Sequence, residues 1–207
     1  MSGKIIALVG PSGVGKNFAK QAIKDRFPNL SELTIYTTRS RRTSDGIDRE
    51  TDISVENFLK MVDENKIIAA HQPFGINGDW YGFSKEQIDK MLENNDLILT
   101  EIHPDNMSLF KKLYGKNVFA IALTAKKEYL EHNLKERDSE KEADRNLRLN
   151  SAINEINIIQ RMQKEGLINK IIEIDWDNRD KLSELVVNEV LQETKPQVEQ
   201  ENKIKFK

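Results

Sequence analysis

Apolar residues in this chain come in short unbroken runs separated by amphipathic stretches. Ile5–Val9 is apolar throughout rather than alternating, the pattern of a strand covered on both faces in a parallel sheet. After a glycine-rich turn, Phe18, Ala19, Ala22, Ile23 and Phe27 recur at helical spacing and Pro28 closes the segment, which predicts a helix directly after the strand. The alternation returns with apolar strands at Leu97–Ile102, Val118–Leu123 and Ile171–Ile174. Helical patterns lie around Tyr129–Leu134, Leu149–Met162 and Leu182–Val190. Strands alternating with helices predict an α/β fold with a parallel sheet flanked by helices.

Two stretches break the pattern. Thr34–Gly82 carries turn signals and charge, with Arg39, Arg41, Arg42, Asp45-Gly46, Pro73-Phe74-Gly75 and Asn77-Gly78, and reads as an excursion from the core. Lys135–Arg148 is dense in charge and almost free of large apolar residues. It reads either as a mobile helical flap over a site or as a solvated helix face. From Glu193 onward the chain is polar, contains Pro196 and shows no apolar periodicity, so residues 1–192 are expected to form one domain and 193–207 a frayed tail.

Length and composition narrow the class. A chain of 207 residues, 38% hydrophobic, buries one good core. The formal net charge of -2 excludes the global field of a nucleic-acid or membrane-surface binder, so any anion site must be built locally. Cysteine is absent, which excludes disulfides, thiolate metal sites and cysteine nucleophiles. No apolar run approaches the ~20 residues of a membrane span, and a cytoplasmic protein is expected.

The candidate chemistry begins where the first strand ends. Gly10-Pro11-Ser12-Gly13-Val14-Gly15-Lys16-Asn17 has the G-x-x-x-x-G-K spacing between a buried strand and a helix. Glycines let backbone N–H groups turn inward on phosphate oxygens, the lysine adds a full charge, and the helix N-terminus adds its dipole. Pro11, Ser12, Gly13, Val14, Gly15, Lys16 and Asn17 are therefore expected to bind ATP. Asn17 stands where a magnesium-binding hydroxyl is usual, and its amide oxygen is still a hard ligand. Glu101, closing the apolar run Leu97–Thr100, is the second candidate for Mg2+.

Further segments complete a pattern. Gly10–Lys16, Tyr36-Thr37-Thr38-Arg39-Ser40-Arg41-Arg42, Trp80-Tyr81-Gly82, Leu99-Thr100-Glu101-Ile102 and Leu134-Lys135-Glu136-Arg137 with Arg148 resemble the guanylate kinase family in order and approximate spacing. The resemblance implies a P-loop kinase fold with an acceptor-binding segment over about 35–83 and a short lid over about 135–148. It also implies transfer of a phosphoryl group from ATP to a nucleoside monophosphate, GMP or dGMP first. By resemblance Arg39 and Arg42 grip the acceptor phosphate, and planar guanidinium groups suit that task. Tyr81 also contacts the acceptor phosphate. Arg137 and Arg148 close on the transferring group, with Arg145 an additional candidate. Lys16, Arg39, Arg42, Arg137 and Arg148 form the catalytic set, and Tyr81, Glu101 and His103 join the acceptor site.

The acceptor-base positions depart from the family. Ile35, Ala69 and Phe83 stand where the resemblance expects two serines and a glutamate, and His103 where it expects an aspartate. Arg49 or Glu50 falls near the place of a missing tyrosine. Gln72, Asn77 and Asp79 are candidate replacement readers. His71, His103 and His132 show no mutual metal-ligand spacing, and no base is required because an acceptor phosphate is already anionic. These departures imply weaker discrimination of guanine. They keep open a different phosphorylated acceptor, such as another nucleotide or ribose bisphosphate, and a non-catalytic interaction module.

Overall fold

A computed structural model of the protein describes residues 3–41, 48–73, 78–94, 96–136 and 142–195, and the side chains of all of these except 142–145. The elements in chain order are β1 (Lys4–Val9), α1 (Lys16–Arg26), β2 (Ser31–Glu32), β3 (Ile35–Thr37), β4 (Arg49–Glu50), α2 (Val55–Asp63), β5 (Ile67–His71), β6 (Tyr81–Ser84), α3 (Lys85–Glu93), β7 (Leu97–Glu101), α4 (Met107–Tyr114), β8 (Val118–Ala125), α5 (Lys127–Lys135), α6 (Glu142–Lys164), β9 (Lys170–Ile174) and α7 (Leu182–Thr194).

Strands β2, β7, β1, β8 and β9 form a five-stranded sheet in that order, parallel throughout. The unbroken apolar runs are explained by its two covered faces. Ile5, Ala7 and Val9 pack toward Ile88, Phe110 and Ile159 of α3, α4 and α6. Ile6 and Leu8 pack toward Ala19, Ile23, Val186 and Val190 of α1 and α7. Each such fully buried aliphatic side chain contributes about 1.5–3 kcal/mol, so successive residues of β1 all hold the fold together.

The excursion folds as a second, four-stranded sheet in the order β4, β3, β6, β5. Here β3 and β6 run antiparallel with Thr37 opposite Tyr81. β6 and β5 also run antiparallel, with His71 opposite Tyr81 and a bulge between Ile68 and His71. Within the bulge Ala69 takes the left-handed conformation at φ 55°.

Several expectations change at this level. Phe18, part of the helical periodicity, is 56% exposed, because α1 presents Ala19 and Ile23 to the sheet. Helices α2, α3 and α4 were not read from the pattern: each has eight or nine residues, and two of them lie in or beside the turn-rich excursion. Ser54 and Ser84 cap α2 and α3 by accepting the N–H of Asn57 and Gln87, a start signal that was present in the sequence. The second half of the charged stretch 135–148 is the beginning of α6, which runs on without a break to Lys164. Helix α7 continues through Thr194, into the stretch read as tail.

Candidate active site

The glycine-rich loop leaves the C-terminal end of β1 and enters α1 at Lys16. Gly10 has φ 151°, and a Cβ there would lie 2.5 Å from the carbonyl oxygen of Leu123 on β8. Gly15, at the N-cap of α1, is left-handed with φ 103°. A side chain is excluded at the first position by contact and disfavoured at the second by conformation. Val14 is wholly buried in the cluster beneath α1, and Pro11 is also buried, which anchors the loop.

Lys16 folds its ammonium back over the loop and donates to the carbonyls of Gly10 (2.6 Å) and Pro11 (2.9 Å). Two helices close on the same loop. Asn133 of α5 donates to the Gly13 carbonyl at 2.8 Å, and Arg148 of α6 donates to the Ser12 hydroxyl at 3.4 Å. Arg148 thus stands at the loop that its position in sequence leaves far away. Arg42 and Arg137 lie outside the described residues, as do Asn77 and the side chain of Arg145.

The second sheet presents one end to this edge. Thr37, Tyr81 and His71 lie in one row across β3, β6 and β5, and Arg39 follows β3. Arg39 is 8% exposed; its backbone N–H donates to Thr37 Oγ1 at 3.2 Å and its Nη1 to the Ser40 carbonyl at 2.7 Å. His71 meets His103, just beyond the C-terminal end of β7, with ring centroids 4.9 Å apart. The register of β7 on β1 sets Glu101 opposite Leu8, so both end beside the glycine-rich loop. Ligands of open parallel sheets bind at such carboxyl ends.

The histidine pair is a juxtaposition that spacing alone did not reveal. Burial pushes the His71 pKa down, and burial, His71 and the positive field of Lys16 push that of His103 down to about 4, outweighing Asp105. Both imidazoles are therefore neutral at neutral pH. Ile35, Ala69 and Phe83 all belong to the hydrophobic core and offer no polar side chain at the positions where base readers were expected. Of the candidate replacements, Gln72 donates its amide to the Gly78 carbonyl at 2.7 Å.

Two acidic residues at this edge were not singled out from sequence. Glu155 lies two turns beyond Arg148 on α6, is 8% exposed, and accepts from Ser151 Oγ at 3.2 Å. Burial raises its pKa despite the field of Lys16. Asp48 belongs to a charged cluster centred on Lys20, one turn beyond Lys16. Lys20 is ion-paired with Asp48, with Glu32 at 3.1 Å and with Glu101 at 4.0 Å, and Arg49 approaches Glu101 at 3.9 Å. This cluster joins α1, β2 and β7 to the β4 edge of the second sheet.

Burial acts to raise the Asp48 pKa, but the hydrogen bond and charge of Lys20, with Arg49, outweigh it and leave the carboxyl below its ordinary value. A depressed carboxyl stabilises the fold above its unfolded pKa of ~3.9, and that contribution disappears as pH falls through the folded value. Asp48→Asn leaves Lys20 paired with Glu32, so the expected loss at pH 7 is the ~1.5–3 kcal/mol of a charged hydrogen bond and not the ~3–5 kcal/mol of an orphaned buried ion. Urea unfolding at pH 7 should show this difference, and it should narrow below about pH 4. A difference constant down to pH 2 would show that the Lys20 contact is not its source.

The donors present suit magnesium. Glu101 Oε1 is buried with no hydrogen-bond partner, and Asn17 exposes its amide on the first turn of α1. Among the described residues no three His, Cys, Asp or Glu side chains group to hold a metal. That set fits an ion which takes most of its ligands from phosphates and water, as magnesium does.

A parallel sheet with a glycine-rich loop and lysine between β1 and α1, together with a small second sheet and a buried arginine just beyond its strand β3, defines a P-loop kinase fold. The model of one family, guanylate kinase, matches residues 2–175. The chain is 29% identical over 154 residues to guanylate kinase of Prochlorococcus marinus, covering 74% of this chain and 82% of that one. It is 30% identical over 142 residues to guanylate kinase of Carboxydothermus hydrogenoformans, covering 68% of each. The crystal structure of guanylate kinase from Anaplasma phagocytophilum has a similar fold, with a TM-score of 0.67 at 19% identity over 94% of this chain and 88% of that one. The chain belongs to the guanylate kinase family. Among the described residues no helix is long and apolar enough to cross a membrane.

Proposed function

We propose that this chain transfers the γ-phosphoryl group of ATP to the phosphate of GMP or dGMP. The observation that carries the reading is the meeting of two edges. The row Thr37, Tyr81 and His71, with Arg39 beside it, abuts the carboxyl end of the parallel sheet through the His71–His103 contact, next to the loop held by Lys16 and Arg148. Two phosphate sites on facing edges are what a phosphoryl transfer between nucleotides requires.

In this reading the loop residues Pro11 to Asn17 hold the ATP phosphates. Lys16 exchanges its two carbonyl partners for phosphate oxygens, and Arg148 at Ser12 turns its guanidinium to the transferring group. Arg39 grips the acceptor phosphate, joined by Tyr81 and, beyond the described residues, by Arg42; Arg137 completes the lid. Asn17 and Glu101 hold Mg2+, which when bound neutralises charge on the phosphates. The acceptor oxygen is already anionic, so the protein's work is positioning and charge stabilisation. Residues 35–83 serve as the acceptor segment, 135–148 as the lid, and the chain acts in the cytoplasm.

The test is ADP production with ATP, magnesium and GMP, set beside ribose bisphosphate and the other nucleoside monophosphates. Turnover with GMP is expected. Turnover with the phosphosugar alone, or tight nucleotide binding with no turnover on any acceptor, overturns the reading.

A further inference from the structure

Asn133 stands on α5 with its amide against the glycine-rich loop, where Nδ2 donates to the Gly13 carbonyl at 2.8 Å. A carbonyl oxygen only accepts, so the amide is oriented with its nitrogen toward the loop. The helix that carries it is braced at two places. Leu130 and Leu134 are buried, and Leu134 Cγ lies 3.3 Å from the place a Cβ on Gly13 would occupy. Trp176 rests on Tyr129 and His132, each at a ring-centroid distance of 4.9 Å. Trp176 is itself held in a turn, where the Asp175 carboxylate accepts the N–H groups of Asp177 and Asn178, both at 3.0 Å. A side chain on a support of this kind holds its partner in a fixed place.

What the bond controls is the peptide between Gly13 and Val14. A trans peptide sets its C=O and N–H in opposite directions, so tying the Gly13 carbonyl to α5 sends the Val14 N–H the other way. That N–H points to the Pro11 carbonyl at a long 3.4 Å, the same oxygen that receives the Lys16 ammonium at 2.9 Å. It therefore opens on the side of the loop where Lys16 lies, and its present bond is weak enough to exchange for a phosphate oxygen. Gly13 is buried with φ 86°, and a peptide beside a glycine turns with little steric resistance. Without the amide of Asn133, a carbonyl oxygen instead of an N–H is free to face the phosphates.

The geometry points to Asn133 as a positioning residue for the donor nucleotide, one that holds the Gly13–Val14 peptide so that the Val14 N–H is presented to the ATP phosphates. The inference rests on the loop's role as the ATP site proposed above. Asn133 touches no reacting atom and acts through a single backbone donor, so its effect falls on ATP and spares the acceptor.

Measure the ATP Kd by calorimetry, and the KM of ATP and of the acceptor by turnover, in the unaltered protein, Asn133→Leu and Asn133→Gln. Asn133→Leu keeps the volume and loses the donor, so the Kd and KM of ATP should rise about tenfold while the acceptor KM stays within about twofold. Asn133→Gln keeps an amide and should return the ATP Kd to within about threefold of its starting value. In isotope-labelled protein the Val14 amide resonance should shift when ATP is added, and shift far less in Asn133→Leu, a readout that packing alone does not move. Melting temperatures report whether each variant folds; if Asn133→Leu does not, Asn133→Asp, of the same shape with no amide hydrogen to donate, takes its place. A folded variant without the donor that keeps its ATP Kd overturns the inference. So do equal rises in both KM values, an Asn133→Gln no better than Asn133→Leu, or a Val14 resonance that ignores ATP in the unaltered protein. In each of those cases ATP binding and turnover by the unaltered protein leave the kinase reading standing. If the unaltered protein does not bind ATP, that reading fails and the inference fails with it.

Discussion

Replacing Lys16 with alanine is expected to lower kcat/KM by about 10²–10³-fold, the usual effect of deleting one preorganised group that meets charge developing in the transition state. The magnitude follows from placement. The ammonium lies inside the loop, bridging the carbonyls of Gly10 and Pro11, and no other described cation occupies that position; Lys20, one turn further, is committed to Asp48, Glu32 and Glu101. Loss of the bridge also removes two hydrogen bonds that hold the loop closed. The ATP dissociation constant, measured by calorimetry, should rise in parallel, while the melting temperature changes little because Val14 still anchors the loop in the core. Wild-type affinity and turnover in the variant would remove Lys16 from the site.

The second large effect separates the two edges of the site. Arg39→Ala should raise KM for the acceptor by about 10–100-fold, in line with the loss of one or more hydrogen bonds to a charged group, and leave KM for ATP near its starting value. Arg148→Ala should act mainly on kcat, lowering it by about a hundredfold, because its contribution strengthens only as charge moves between the phosphates. Arg39 is buried, so its variant needs a melting curve beside the kinetics. Arg39→Lys serves as a companion that keeps the charge and loses the planar fork. If Arg39→Ala and Arg148→Ala alter the same parameter to the same degree, the assignment of one to the acceptor and the other to the transferring group is wrong.

The nucleotide loop was legible because everything it needs is local. Glycines where φ is positive, a lysine at the start of a helix and a fully apolar strand before them sit within a few residues of one another, and their meaning does not depend on what packs nearby. The same holds for β8, whose apolar run is buried along its whole length, whereas β9, at the edge of the sheet, exposes Glu173 between the buried Ile172 and Ile174. Short helices such as α4 were not legible, since eight residues give little more than two turns of periodicity and their stability comes from packing. Phe18 shows the converse error: helical spacing indicates a face, but only the position of the sheet selects which residues of that face are covered.

The sequence by itself therefore determined the class of fold, the phosphate loop and the identity of the arginines available for phosphate, because these depend on composition and short-range order. Tertiary structure decided which of those groups meet. Arg148 reaches Ser12 only because α6 crosses the loop. Lys20 gathers carboxylates from β2, β7 and the β4 edge only because α1 lies against all three. His71 and His103 come together through a bulge in one sheet and the end of a strand in the other. Their burial and the downward push on both imidazole pKa values follow from that contact, since desolvation and neighbouring charge act through distance in space.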